Sequence, residues 1–379
     1  MPSFASDFRC RTHRRALQGG AGVVCRATLQ KFGKHPGANA ACTVPNAPPL
    51  SRYGPPHITY RGAPVSSLPK WGVVSTIKAD TTAILNFAAH HLDLGAHRIH
   101  IYLDADCPQA REALQGHPRC NVILTDDEYW AERRRRPDAH QVRQTMNATR
   151  AYRRRPGVDW LAHIDVDEFL WPARPIAEQL SDLPDDAPTA RVRPIEALAP
   201  LPGDDTSRTW FKGCAPRQNI RNRQTEQIYP TYGAHLNGGF LSHVTGKIFV
   251  RTGTKGLKFR IHNAFLDAEQ IPNDFELSQT QLCHFHAPSW EDWQRAYRYR
   301  LESGSYRPAL KASGSNATTM NNLFSLIEAE GGDTALRRFY DEVCTASPDL
   351  RARLAEHDLL HRISLDLDAK RARHFPNYG

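Results

Sequence analysis

Hydrophobic and polar positions change character along the chain, and the first ordered pattern begins at Trp71. The run WGVVSTIKAD opens with a short apolar, β-branched stretch whose length suits a buried strand. TTAILNFAAHHLDLG follows; its apolar positions Ile84, Leu85, Ala88, Leu92 and Leu94 approximate helical spacing, and Gly95 is a natural stop. HRIHIYLDAD reads as a second strand ending in acids, and NVILTDDEYW as a third. Residues 139–155 form a polar helical pattern, after which DWLAHIDVDEFLWP gives a fourth strand running into a turn. Strand–helix alternation at this spacing predicts βαβ units and a mostly parallel sheet, which binds ligands at the carboxyl ends of its strands.

From about Thr189 the pattern is mixed. ARVRPIEALAP, GKIFVRTG and QLCHFHAP read as strands. SWEDWQRAYRYRLESG reads as an amphipathic helix with Ser289 at its N-cap and Glu291 and Asp292 in its first turn. Beyond Thr318 the apolar set Leu323, Leu326, Ile327, Leu336, Phe339, Tyr340 and Val343 predicts further helices. Residues 1–68, by contrast, are rich in Gly, Pro, Ala and Arg, include VPNAPPLSRYGPP, and show no sustained period. Such a segment is expected to be a disordered extension, because it cannot bury enough apolar surface to offset its ordering entropy. An organellar leader or upstream sequence from a misplaced start are the other readings of an Arg-rich, acid-poor stretch. The expected layout is therefore an extension over 1–68, an α/β domain over 69–300, and a helical section over 301–379 packed on it.

Composition narrows the class. The 379 residues are 40% hydrophobic and 23% charged, the balance of an ordinary globular protein. No apolar run approaches the roughly 20 residues needed to span a bilayer. The eight cysteines include no CxxC pair, so a structural zinc site is not expected; scattered thiols read as reduced, which suggests a cytoplasmic protein. Net charge is +9, and Asp7 is the sole acid before Asp80, so the N-terminal part carries much of the excess. The runs Arg133–Arg136 and Arg153–Arg155 flank one predicted helix. No zinc finger, helix-turn-helix or RNP-like aromatic pattern accompanies them, which disfavours nucleic acid. A solvated face, or attraction to an anionic donor, acceptor or the cytoplasmic membrane face, is the better reading.

The strongest chemical signal is HIDVDEFL, residues 163–170. Asp165 and Asp167 lie two apart after an apolar strand, so on extended chain both project to one side. Paired carboxylates make a hard-oxygen site for Mg²⁺ or Mn²⁺, and such an ion bridges diphosphate oxygens. A solvated acidic turn is the plainer alternative.

With its neighbours, this block resembles the glycosyltransferase family 2-like group, bacterial proteins with a "DvDEF" signature and a GT-A nucleotide-diphospho-sugar fold. VVSTIKAD followed by ILNFAAHHLDLGAHRIHIYLDAD is similar to that group's opening strand, "HH…lG" helix and second strand. GKIFVRTG is similar to its "gKsivr" strand, and HFHAPSWEDW to its "HY…S" segment. The similarity covers about residues 71–300 and departs from the pattern at Lys78–Ala79 and at His286–Ala287–Pro288. It implies a GT-A-type α/β/α sandwich with C-terminal helices. The activity it implies is metal-dependent, inverting transfer of a sugar from a UDP- or GDP-sugar to a glycan, glycolipid or protein acceptor. By the same resemblance Asp165 and Asp167 would ligate the cation, with His284 completing the site. Asp104 would lie near the nucleoside, Lys78 near a phosphate or base edge, and Lys247 near donor or acceptor. For the general base Glu196 is the first candidate, with Asp267 and His262 as alternatives.

Two competing classes remain open from residues alone: a metal-dependent phosphoester hydrolase or nucleotidyltransferase using the same acids, and a non-catalytic carbohydrate- or nucleic-acid-binding protein. The pattern also makes a prediction about stability. A chain beginning at Leu68 should melt at the same temperature as the whole chain or higher. A drop of several degrees in a thermal melt would show instead that residues 1–68 pack on the domain.

Overall fold

The computed structural model describes residues 67–308, 310 and 318–378. The expectation for the N-terminal extension therefore falls outside the described residues, apart from its last two positions. The first half of the fold reads β1 (Trp71–Ile77), α1 (Thr81–Asp93), β2 (Arg98–Leu103), α2 (Pro108–Gln115), β3 (Cys120–Leu124), α3 (Asp127–Ala131), α4 (His140–Arg153) and β4 (Trp160–His163). These are the predicted βαβ units. β1 pairs in parallel with β2 and β4, and β2 with β3. Every residue of β1 is buried, as a strand with neighbours on both edges and helices on both faces requires. Val73 and Ile77 face Ile84, Leu85 and Ala88 of α1 in one core, whereas Val74 packs with Ala148, Ala151 and Tyr152 of α4 in another. Asp80 caps α1, its Oδ1 accepting from the Ala83 N–H at 2.8 Å.

The remaining elements alter the predicted picture. DWLAHIDVDEFLWP is two strands, for β5 (Glu168–Pro172) turns away from β4. After α5 (Ile176–Ser181) come β6 (Thr189–Ala197), β7 (Thr209–Lys212), α6 (Gln218–Ile228) and β8 (Lys247–Arg251), then the short strands β9 (Lys258–Phe259), β10 (Ala264–Leu266) and β11 (Glu269–Gln270). β12 (Glu276–His284), α7 (Trp290–Glu302), α8 (Met320–Val343), α9 (Pro348–Ala355), β13 (Leu360–Ile363) and α10 (Leu367–His374) complete the described chain. The main sheet runs β13-β7-β6-β8-β4-β1-β2-β3, with β12 beside β6 and β5. Its β3-β2-β1-β4 half is parallel. β8 joins β4 antiparallel, and β6, β7 and β13 continue antiparallel. The architecture is thus a mixed α/β sandwich with C-terminal helices, and the sheet is less uniformly parallel than the alternation alone implies.

The C-terminal section is not purely helical. β13 returns to the main sheet beside β7, and α7 runs through residue 300, where the sequence drew its boundary. Ser289 caps α7 as expected, with the Asp292 N–H donating to its Oγ at 3.1 Å. Trp293, Tyr297, Phe324, Ile327, Leu336, Phe339, Tyr340 and Val343 form a third core. Leu326, expected in that set, is 59% exposed, because it lies off the stripe made by Leu323, Phe324 and Ile327. α8 breaks its helical geometry at Gly331 and Gly332, and only Gly332 has positive φ, at 54°. No helix among the described residues is long and apolar enough to cross a membrane.

Candidate active site

At the carboxyl ends of the parallel strands the chain opens into a cleft of about 1270 Å³. Lys78 follows β1, Asp104 follows β2, and Asp165 follows β4; all three line the cleft, with Asp167, His284, Arg143 and Gln144. Proximity of strand ends is a consequence of the parallel register, which aligns Ile77 with Leu103 and Val74 with His163.

The acidic pair does not sit on extended chain. Asp165 and Asp167 occupy the turn between β4 and β5, so the strand rule for same-side projection does not apply to them. The Asp165 N–H donates to Glu168 Oε2 at 2.9 Å and closes that turn. Lys247, at the first position of β8, reaches in beneath it: its Nζ lies 2.6 Å from Asp165 Oδ2 and 3.3 Å from Glu168 Oε2. Gly246 makes this approach possible. It has φ of 75°, and a Cβ there would collide with the Val192 carbonyl oxygen. The Gln144 amide donates to the other oxygen of Asp165. Asp167 is the more open carboxylate, its side chain 41% exposed and its Oδ2 3.4 Å from His284 Nε2.

Electrostatics follow from this arrangement. Burial alone would raise the pKa of Asp165, but Lys247 and then His163 hold it well below the usual carboxylate range. One ammonium cannot fully compensate two buried acids. Glu168 is accordingly pushed up, by burial first and by the Asp165 charge against the attraction of Lys247. Burial opposes the charge on His284, yet Asp167, Glu168 and Glu196 outweigh it and raise its pKa to about 9.

Asp104 is engaged by protein rather than left open. Arg143 grips it in bidentate fashion, Nε 3.0 Å from Oδ1 and Nη2 2.7 Å from Oδ2, while Arg136 Nη2 lies 3.0 Å from Oδ1 and His140 Nδ1 3.5 Å from Oδ2. Burial would raise its pKa; bonds from His140 and Arg143 and the charges of Arg143 and Arg136 instead lower it to about 2. Its side chain therefore holds Arg143 at the cleft wall, with Arg136 on its other side. Lys78 is exposed there.

Glu196, the first candidate for general base, is buried behind the cleft and accepts from every side. The Leu241 N–H donates to it at 3.0 Å, the Ser242 N–H at 2.9 Å and the Ser242 hydroxyl at 2.7 Å, with Lys212 Nζ 3.1 Å away. Lys212 spends its other protons on the carbonyls of Gly239 and Val343, at 2.7 and 2.8 Å. With its acceptor positions filled and no place in the cleft wall, this carboxylate has a structural setting. Of the alternatives, Asp267 is exposed in the β10–β11 turn. His262 lines the cleft, but its nitrogens are taken. The Thr245 N–H donates to His243 Nδ1 at 2.9 Å, which places the His243 proton on Nε2, facing the His262 ring. His262 Nδ1 in turn donates to the Gly246 carbonyl at 2.9 Å. Burial, reinforced by Lys247, lowers the His243 pKa to about 3.

The structure thus adds Glu168, Arg143, Gln144, Arg136 and His140 to the residues expected from sequence. Glu168 stood inside the HIDVDEFL block. Arg143 and Gln144 carry no local signal, since only the docking of α4 brings them to the strand ends. Among the described residues no group of three or more His, Cys, Asp and Glu side chains is gathered as a ready-made metal site. Asp167 and His284 face each other across 3.4 Å at the cleft, and a divalent cation taking this oxygen and nitrogen would first have to displace the proton that the raised His284 pKa holds there. Asp165 is committed to Lys247 and Gln144.

No known family model matches the sequence, and no curated protein does. Similar solved structures include HddC from Yersinia pseudotuberculosis, at 9% identity over 34% of this chain and 58% of that one, with a TM-score of 0.22. They also include an active-site variant of LgtC, at 12% identity over 48% of this chain and 57% of that one, with a TM-score of 0.23. A third is the galactosyltransferase LgtC in complex with donor and acceptor sugar analogues, at 14% identity over 48% and 57%, with a TM-score of 0.21. The chain thus spans under three-fifths of each of these proteins, and TM-scores of this size transfer neither chemistry nor residues.

Two outcomes follow from the geometry. Lys212→Met strands the Glu196 charge in the interior and should destabilise the fold by about 3–5 kcal/mol, read from urea unfolding; an unchanged midpoint would contradict the buried pair. Asp104 has a depressed folded pKa, so its contribution is present above the unfolded value near 4 and is lost as pH falls through about 2. Acid unfolding should therefore show the stability gap between the native protein and Asp104→Asn closing over that window. A gap that stays constant with pH would refute the arginine clamp.

Proposed function

We propose that this chain is a glycosyltransferase that takes its sugar from a nucleotide-diphosphate donor, of UDP or GDP type, and passes it to a glycan, glycolipid or protein acceptor. The observation that carries the reading is the cleft at the carboxyl ends of β1, β2 and β4, with the Asp165–Asp167 turn and the Asp104 arginine clamp on its wall. Such a position is where open α/β sheets bind nucleotides. The resemblance of HIDVDEFL and its companion segments supports the reaction class.

In this reading Lys78, Arg136 and Arg143 attract and orient the anionic donor, while Asp104 keeps the two guanidiniums in place. Asp167 and His284 are the residues that would hold a Mn²⁺ or Mg²⁺ ion. When bound, that ion would neutralise charge on the nucleoside diphosphate as it leaves. Lys247 fixes the turn that presents Asp167, and Asp165 acts through that contact. Glu196 belongs to the framework of the cleft, since its acceptor positions are filled by Lys212 and the 241–242 segment. Inversion at the anomeric carbon, implied by the family resemblance, is part of the proposal, as is a cytoplasmic location.

Asp167→Asn is the direct test. It should leave the melting curve close to that of the native protein, weaken Mn²⁺-dependent binding of UDP or GDP at least about ten-fold, and abolish donor turnover. His284→Ala should raise the Mn²⁺ concentration needed for half-maximal binding. Full turnover in Asp167→Asn, or undiminished turnover with excess chelator, would reject the cation assignment. Failure of every UDP- and GDP-sugar to raise the melting temperature would reject the donor class.

A further inference from the structure

A second cavity, of about 410 Å³, lies at the β2–β3 edge of the sheet, and none of its lining residues belongs to the cleft. His100 and Tyr102 of β2 and their register partners Asn121 and Ile123 of β3 form its floor. Its rim is Arg98, Arg154 and Arg155, with Pro156 and Gly157 completing the wall. No carboxylate lines it. Among the described residues, no Asp or Glu lies within salt-bridge distance of Arg98, Arg150, Arg153, Arg154 or Arg155.

An arginine-rich helix end has a plain explanation, which must be subtracted first. The carbonyl terminus of α4 carries about half a negative charge, offset by basic side chains in the last turn. Arg150 and Arg153 occupy that turn and more than cancel it. Arg98, Arg154 and Arg155 remain over, three basic residues lining one hollow. Arg98 is steadied by donation from Nη1 to the Pro118 carbonyl at 2.7 Å. Arg155 is held in the left-handed region, φ 56°, which a side-chain-bearing residue adopts at a cost of about 1–2 kcal/mol. Gly157 follows with φ 73°. The backbone is thus bent so that the 154–157 segment folds back over the β2–β3 edge.

Guanidinium forks match tetrahedral phosphate oxygens in bidentate fashion, and several forks on one hollow favour an anion with several acceptors over a single carboxylate. The volume sits toward the low end of small-ligand pockets, about 300–1,000 Å³, enough for a phosphate bearing a glycerol- or sugar-sized group. We propose that this pocket is a second anion site, separate from the cleft, that binds a phosphomonoester or phosphodiester group. The group is borne either by a lipid headgroup at an anionic bilayer surface or by a free phosphorylated metabolite.

The test uses the full chain, free of divalent cations, with two probes. Inorganic pyrophosphate is titrated calorimetrically. Phosphatidylcholine vesicles with and without phosphatidylglycerol are assayed by co-sedimentation. Arg154→Glu combined with Arg155→Glu, at two exposed positions, should leave the melting curve and donor turnover in the cleft intact. It should weaken binding of the relevant probe at least about thirty-fold, and Arg98→Met should weaken it in the same direction. Loss confined to phosphatidylglycerol vesicles identifies the lipid source; loss confined to pyrophosphate identifies the soluble one. The proposal is overturned if the unaltered protein binds neither probe. It is equally overturned if both variants, folded as the native chain, bind both probes unchanged.

Discussion

The buried ammonium of Lys247 sets the geometry on which the candidate site depends. It stands between Asp165 and Glu168; the Asp165 N–H returns to the Glu168 carboxylate and the Glu168 N–H to the Asp165 carbonyl, so one lysine and two hydrogen bonds define the turn joining β4 to β5. Desolvating each of these charges costs several kcal/mol, and the attraction repays this only when the remaining donors and acceptors are also satisfied. Gln144 supplies such a bond from α4. Lys247 can enter only because Gly246 passes Val192 without a side chain. The β8 strand, the β4–β5 turn and the face of α4 are therefore mutually dependent, and Asp167 is left as the carboxylate of that turn open to the cleft.

Much of the fold was legible because its signals are local. β1, α1, β2 and α7 follow from apolar period, α4 from its polar helical pattern, and the Ser289 cap from residue type. Elements whose identity depends on distant partners were not legible. DWLAHIDVDEFLWP reads as one strand running into a turn, yet a second strand, β5, follows that turn because its hydrogen bonds go to β12, far along the chain. The antiparallel half of the sheet and the return of β13 beside β7 are likewise decided by pairing that no window of sequence contains.

The candidate site divides the same way. Asp165 and Asp167 announced themselves by spacing, although the backbone presenting them is a turn rather than a strand. By sequence Glu196 is the first candidate for general base, placed after a short strand. In the ladder it stands directly opposite Lys212 on β7, and that register converts it into half of a buried ion pair. Asp104 is correctly placed at a strand end, but α4 brings Arg143 onto it, so its carboxylate is spent inside the protein. Sequence position gives where a side chain starts; what it meets is fixed by helix docking and strand order.

Taken together, the charges show why an acidic turn is compatible with an anionic ligand. Lys247 stands against Asp165 and Glu168, Lys212 against Glu196, and Arg143 and Arg136 against Asp104. Low local dielectric makes each of these contacts strong while hiding its charge from solvent. What the cleft presents outward is then Asp167, beside a proton-holding His284, together with Lys78, Asp138, Arg300, Arg307 and the outer edge of Arg143. A diphosphate approaching that wall meets Lys78 and the arginine edges directly, so the attraction it feels comes from those few groups. At the β2–β3 edge no such compensation occurs, so part of the excess positive charge of the chain is concentrated there, away from the strand ends where chemistry would take place.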